Sequence, residues 1–174
     1  DMVVVGPHRH EAIKDVFLGT TAELTIRASR RPVLEVNGVP AAFYRHALVG
    51  IDFSACCADA LHAVASLGLA EHVSVSVVHV FDAPARRHMA LGSASKDEIE
   101  DYVAHEKGRA AQELAVFLRD VNFTPARQLL KVSQVSAAQT ICATAHELSA
   151  DLVVLGTQGR TGLAKFLLGS VAEE

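Results

Sequence analysis

Short apolar runs bounded by turn residues set the rhythm of the chain. Five stand out: Met2 to Val5, Val33 to Val36, Ala47 to Ile51, Val73 to Val80 and Leu152 to Leu155. In Leu152-Val153-Val154-Leu155 every successive position is apolar, as expected of a strand covered on both faces in a parallel sheet. Leu129 to Val132 is a weaker sixth. Between these runs the spacing changes to that of helices, over Ala55 to Leu67, Lys96 to Val121 and Ala137 to Leu148. Ile99, Val103, Ala110, Leu114 and Phe117 fall along one helical stripe. Strand, helix and strand in alternation predict a doubly wound α/β domain with an open parallel sheet, starting near His46. Asn37 to Ala42, with Gly38 and Pro40, reads as a connection between units. Asp82 to Ser95 reads as a loop, because Pro84, Arg86, Arg87 and Gly92 interrupt any period.

The chain also repeats itself. Asp1-Met2-Val3-Val4-Val5-Gly6 matches Asp151-Leu152-Val153-Val154-Leu155-Gly156 at an offset of 150 residues. The register then holds without a gap, with Leu18-Gly19-Thr20 on Leu168-Gly169-Ser170 and Ala22-Glu23 on Ala172-Glu173. One strand, loop and helix unit is therefore written twice. The first copy continues through Leu24 to Arg31 as a helix and into the strand at Val33, whereas the second stops at Glu174. The expectation is an internal portion of a tandem protein: residues 1–38 end a first domain, 39–45 link, and 46–174 form a second domain without its last strand. The missing strand would be disordered, cut away, or replaced by Val33 to Val36 of the first unit or of another molecule, and since an unpaired sheet edge tends to recruit a strand, a swapped dimer is one expectation.

Composition narrows the function. The 174 residues include 20 acidic and 16 basic side chains, a formal charge of −4, and half of them are hydrophobic. That is enough apolar material for a core, which excludes a disordered chain. The acidic balance lacks the field that binding to nucleic acid needs. No run approaches the roughly 20 apolar residues that cross a bilayer, and the first residues carry no leader of the signal-peptide type. Cys56, Cys57 and Cys142 are an odd set whose adjacent pair suits no unstrained bridge, so a reduced, cytoplasmic setting fits. Nine histidines, His8, His10, His72 and His79 among them, show no metal-ligand spacing.

The candidate chemistry lies in the second copy, where Gly156-Thr157-Gln158-Gly159 is followed after nine residues by Gly169-Ser170. Glycines just after a strand let the backbone approach a ligand, and N–H groups there, with the helix start at Gly169-Ser170, suit a phosphate. Ligands of open α/β sheets bind outside the carboxyl ends of the strands, where Asp52 would also lie. Each signal has a plainer reading. The glycines would otherwise serve a loop that needs positive φ, and Asp52 and Ser54 would cap the helix from Ala55.

These residues resemble the universal stress protein family, whose nucleotide-binding members carry Gly, two residues, Gly, nine residues, then Gly and Ser or Thr. Val49-Gly50-Ile51-Asp52-Phe53-Ser54, the Val78-His79-Val80 strand end and Ser149 to Gly156 are similar to family positions as well. The resemblance implies a five-stranded parallel α/β fold of the nucleotide α-hydrolase-like type, ATP with Mg²⁺ as ligand, and pairing of domains or of a homodimer through edge strands. By motif, Asp52 and the Val80 backbone would hold the adenosine. Gly156, Thr157, Gly159, Arg160, Gly169, Ser170 and Val171 would hold ribose and phosphates. The first copy departs from the pattern, with Pro7, Arg9 and Ala12 where the second has Thr157, Gly159 and Gly162, so only the second domain is expected to bind. The function so implied is a nucleotide-dependent stress-response regulator or interaction switch. The alternatives are a dimerisation module without nucleotide and a weak ATPase or adenylating enzyme. No acid–base pair or set of metal ligands marks a dedicated enzyme, and at most slow ATP hydrolysis or autophosphorylation is expected.

Overall fold

The computed structural model describes residues 1–6, 20–36 and 42–157. β1 (Val3–Val5), α1 (Thr20–Ala28) and β2 (Val33–Glu35) come first, followed by β3 (His46–Ile51), α2 (Ala55–Ser66), α3 (Leu69–His72) and β4 (Ser74–Phe81). Then come α4 (Ala85–Leu91), α5 (Lys96–Asp120), β5 (Arg127–Val132), α6 (Ala137–Leu148) and β6 (Leu152–Val154). β1 and β2 pair in parallel, Val3 opposite Val33. The other strands form a four-stranded parallel sheet in the order β5-β4-β3-β6. The fold class is therefore the doubly wound parallel α/β one read from the sequence, with four strands rather than five in the main sheet among the described residues. Each copy of the repeat opens on a three-residue strand, β1 in the first and β6 in the second.

The sheet is covered on both faces, which is why its strands read as continuous apolar runs. On one face Ala47, Val49, Ile51, Val75 and Val77 pack with Cys57, Leu61 and Val64 of α2 and Leu114 and Leu118 of α5. On the other, Leu48 and Val78 pack with Ile141 and Ala145 of α6. Residues such as Leu61 and Leu114, fully buried, each contribute about 1.5–3 kcal/mol of transfer free energy. The α5 stripe holds one residue that periodicity skips: Glu106, between Val103 and Ala110, is buried as well and pairs with Arg109 at 2.7 Å.

The caps explain where the helices start. Ser54, Ser95 and Ser136 have extended backbones, and each side chain accepts a hydrogen bond from the N–H three residues on. Ser95 and Glu98 form a reciprocal capping box at the start of α5. One sequence expectation needs correction, because the stretch from Asp82 to Ser95 contains α4. Pro84 does not break this helix; it stands at its N-cap, where a missing N–H costs nothing, and Gly92 ends it. No helix among the described residues is long and apolar enough to cross a membrane.

Candidate functional site

β3 and β6 are neighbours in the sheet, yet the chain leaves β3 toward β4 on one side and returns to β6 on the other. The strand order therefore reverses between them, which makes the carboxyl edge between β3 and β6 the topological switch point. Asp52 follows β3 and Gly156 follows β6, so the two flank this crevice.

Asp52 is half-buried, and its Oδ1 accepts the Ser54 N–H at 2.9 Å. Ser54 Oγ in turn accepts the Cys57 N–H at 3.2 Å and is the cap of α2. The plainer reading of Asp52 thus holds in part: Ser54 is the cap, and Asp52 ties down the turn that leads into it. Between them Phe53 has φ +63°, in the left-handed region. For a bulky side chain this costs about 1–2 kcal/mol. Its ring lies 4.3 Å from that of His79 and 5.6 Å, edge-on, from that of Phe117. His79 is buried near the end of β4 and donates its Nδ1–H to the Ile51 carbonyl at 2.8 Å.

The placement of Val80 follows from the ladder. Ser74 N–H donates to Arg45 O, whereas Ala126 and Ser133 donate to Val75 O and Phe81 O. In a parallel ladder that alternation directs the backbone of even-numbered β4 residues to β3 and of odd-numbered ones to β5. Val80 is even, and β3 has already ended at Ile51. Its carbonyl therefore faces the side where the chain turns away through Asp52.

Gly156 is glycine for a reason other than positive φ, which among the described glycines only Gly68 shows. A Cβ on Gly156 would stand 3.1 Å from Cys56 C and Cys57 N and 3.3 Å from Cys56 O. The loop after β6 thus rests on the backbone of the first turn of α2. Thr157 is exposed beside it. Gly159, Arg160, Gly169, Ser170 and Val171 lie outside the described residues, as do Pro7, Arg9 and Ala12 of the first copy. Asp52, Val80, Gly156 and Thr157 are brought to one edge; the remaining candidates are not placed.

Asp151, at the opposite edge, is a residue whose role sequence reasoning missed. Its carboxylate accepts the N–H groups of Arg45 and His46, at 2.9 Å each for the shorter contacts, while its own N–H donates to His46 O. This clamp joins the start of β3 to the start of β6. Desolvation opposes ionisation of Asp151, but the N–H groups of His46, Arg45 and Asp151 itself outweigh it and hold the carboxyl below its ordinary value. The His46 ring adds a second tie. Its Nδ1–H donates to Leu148 O (3.1 Å), and its Nε2 is hydrogen-bonded to the Ser76 hydroxyl (2.8 Å). The repeat was the available signal, since Asp opens both copies.

Cys57 is buried, its Sγ 3.4 Å from Gly50 O, and desolvation pushes its thiol up to about 11. Cys56 is half-buried and Cys142 exposed, all three being free. Among the described residues no cluster of His, Cys, Asp or Glu has the makings of a metal site.

Comparison with known proteins agrees with this architecture. Universal stress protein E of Salmonella typhi is 26% identical over 181 residues, covering all of this chain, which spans 56% of that curated relative. A protein of unknown function from Pseudomonas aeruginosa PAO1 superposes with a TM-score of 0.63 at 19% identity, covering 99% of this chain and 57% of that one. Universal stress protein UspA from Lactobacillus plantarum does so with a TM-score of 0.52 at 18% identity, covering 75% and 89%. At such identities the structures establish the fold. The family follows from the sequence itself: residues 43–174 match the universal stress protein family, and the chain belongs to it.

Proposed function

We propose that this chain is an ATP-binding universal stress protein, acting in the cytoplasm as a nucleotide-dependent stress-response regulator or interaction switch. The observation that carries the reading is that Asp52 and Gly156 flank the switch point of the sheet while the Val80 carbonyl of β4 faces the turn that holds Asp52. A half-buried carboxylate suits the hydroxyl and amino donors of an adenosine, and the Val80 carbonyl at the end of β4 faces the turn that carries it. The loop from Gly156 and Thr157 leads into Gly159, Arg160, Gly169, Ser170 and Val171, whose spacing suits the phosphates and their Mg²⁺.

The tandem arrangement belongs to the same proposal. Residues 1–38 would close a first domain, 39–45 link, and 46–174 make the binding domain, in keeping with a repeat whose copies both open on a strand. Pairing of domains or of a homodimer would use edge strands. β6 borders the four-stranded sheet among the described residues and leaves Val153 41% exposed.

Calorimetric titration with ATP and Mg²⁺ tests the reading, on the wild-type protein and on Gly159→Arg, which copies Arg9 of the first repeat into the second. Binding at one site per chain that Gly159→Arg abolishes is the expected result. A folded, nucleotide-free sample that takes up no ATP refutes it and leaves a pairing module.

A further inference from the structure

The strained residue at the crevice is the feature that nucleotide contacts alone leave unexplained. Phe53 lies between Asp52 and the cap Ser54, with φ +63° and its ring against His79 and Phe117. Three elements thus meet on this side chain, the turn after β3, the end of β4 and the body of α5. Backbone strain of this kind persists only where the surroundings enforce it, and it gathers at functional sites. Here the enforced conformation has two consequences that can be traced bond by bond. On one side it places Asp52, whose Oδ1 accepts the Ser54 N–H. On the other it sets the first turn of α2, capped by Ser54, and the Cys56–Cys57 peptide of that turn is the surface on which Gly156 rests. Asp52 and the Gly156 loop are the two walls of the crevice, so one residue fixes both.

We propose that Phe53 is a positioning residue: clamped between His79 and Phe117, it holds the left-handed turn that presets the Asp52 carboxylate and the Gly156 loop for an adenine nucleotide. The proposal rests on the nucleotide reading of this edge. Phe53 itself need not touch the ligand. Its contribution is preorganisation, since a turn already fixed loses less freedom on binding.

The test compares wild type with Phe53→Gly, which accepts the left-handed backbone without strain but removes the clamp, and with Phe53→Tyr, which keeps the ring. All three are assayed at a low temperature where melting curves show them folded. Hydrogen exchange at the Ser54 and Cys57 amides, referred to the amides of α6, reads the turn without ligand. Titration with ATP and Mg²⁺ reads the consequence. For Phe53→Gly the expected results are a fall in relative protection and a rise in Kd, each about tenfold or more, with Phe53→Tyr near wild type in both. Unchanged protection in Phe53→Gly overturns the proposal, and so does lost protection with an unchanged Kd. Failure of the nucleotide reading has a different signature, because wild type and both variants then all fail to bind ATP; the proposal falls with it.

Discussion

Gly6 and Gly156 occupy the same place in the two copies of the repeat, but the structure gives them different duties. A methyl group at Gly156 would meet three backbone atoms of α2 at 3.1–3.3 Å, whereas one at Gly6 would meet nothing within 4 Å among the described residues. Carbon contacts are most favourable near 3.5–4.0 Å, so Gly156→Ala must push either the β6 loop or the first turn of α2 by a few tenths of an ångström. That turn cannot easily yield, being held by the Ser54 cap and the Asp52 bond. Overpacking of this kind costs about 1–3 kcal/mol, against which the stiffer unfolded chain returns about 0.4–1 kcal/mol. The net expectation is a loss of about 1–2 kcal/mol, or about 2–8 °C in Tm for a chain of this size. Gly6→Ala feels only the second effect and should be more stable than wild type by about 0.4–1 kcal/mol. Urea and thermal unfolding of both variants give the comparison. Equal stability of wild type and Gly156→Ala, or equal losses in the two variants, would refute the claim that close approach to α2 fixes this glycine.

Three further outcomes are expected. The Asp151 carboxyl has its folded pKa held below the ordinary value of 3.8, so its stabilising effect is present above about pH 4 and lost as pH falls through the folded pKa. Acid unfolding of Asp151→Asn should therefore begin from a lower stability at neutral pH and show a shallower decline below pH 4; parallel curves for the two proteins would contradict the clamp. Ser95→Ala removes one half of the α5 capping box and should cost about 1 kcal/mol in urea unfolding, an unchanged midpoint counting against it. In a thiol titration near pH 8, exposed Cys142 should react first, whereas Cys57, buried and pushed up to about 11, should react only on unfolding. Fast modification of Cys57 in the folded protein would mean that the α2 packing is wrong.

Periodicity alone located β3, β4, β6, α2, α5 and α6 within a residue or so of their ends, because a strand buried on both faces and a helix with an apolar stripe leave strong local patterns. It also placed Asp52 and Gly156 at the ends of strands, and the repeat tied Gly156 to Gly6. α4 escaped because a seven-residue helix with Arg86 and Arg87 has too short a period to register, and because Pro84 reads as a breaker until it is seen to be a start. Glu106 escaped because a charged residue within an apolar stripe carries no sign that Arg109 covers it.

Other facts belonged to tertiary structure from the outset. Strand order is not written in any local pattern, and with it came the switch point that sets Asp52 beside Gly156. Contacts between residues some hundred positions apart decided the rest: the Asp151 carboxylate on the N–H groups of Arg45 and His46, and Gly156 against the Cys56–Cys57 peptide. Phe53 shows the limit most clearly, since nothing in Asp52-Phe53-Ser54 foretells a left-handed aromatic. The chain's own sequence determined its class, its repeat and the residue types at the crevice, through short-range periodicity and side-chain chemistry. Only the folded sheet, by closing long loops against the cost of conformational entropy, decided which of those residues share an edge and which glycine has no room for a side chain.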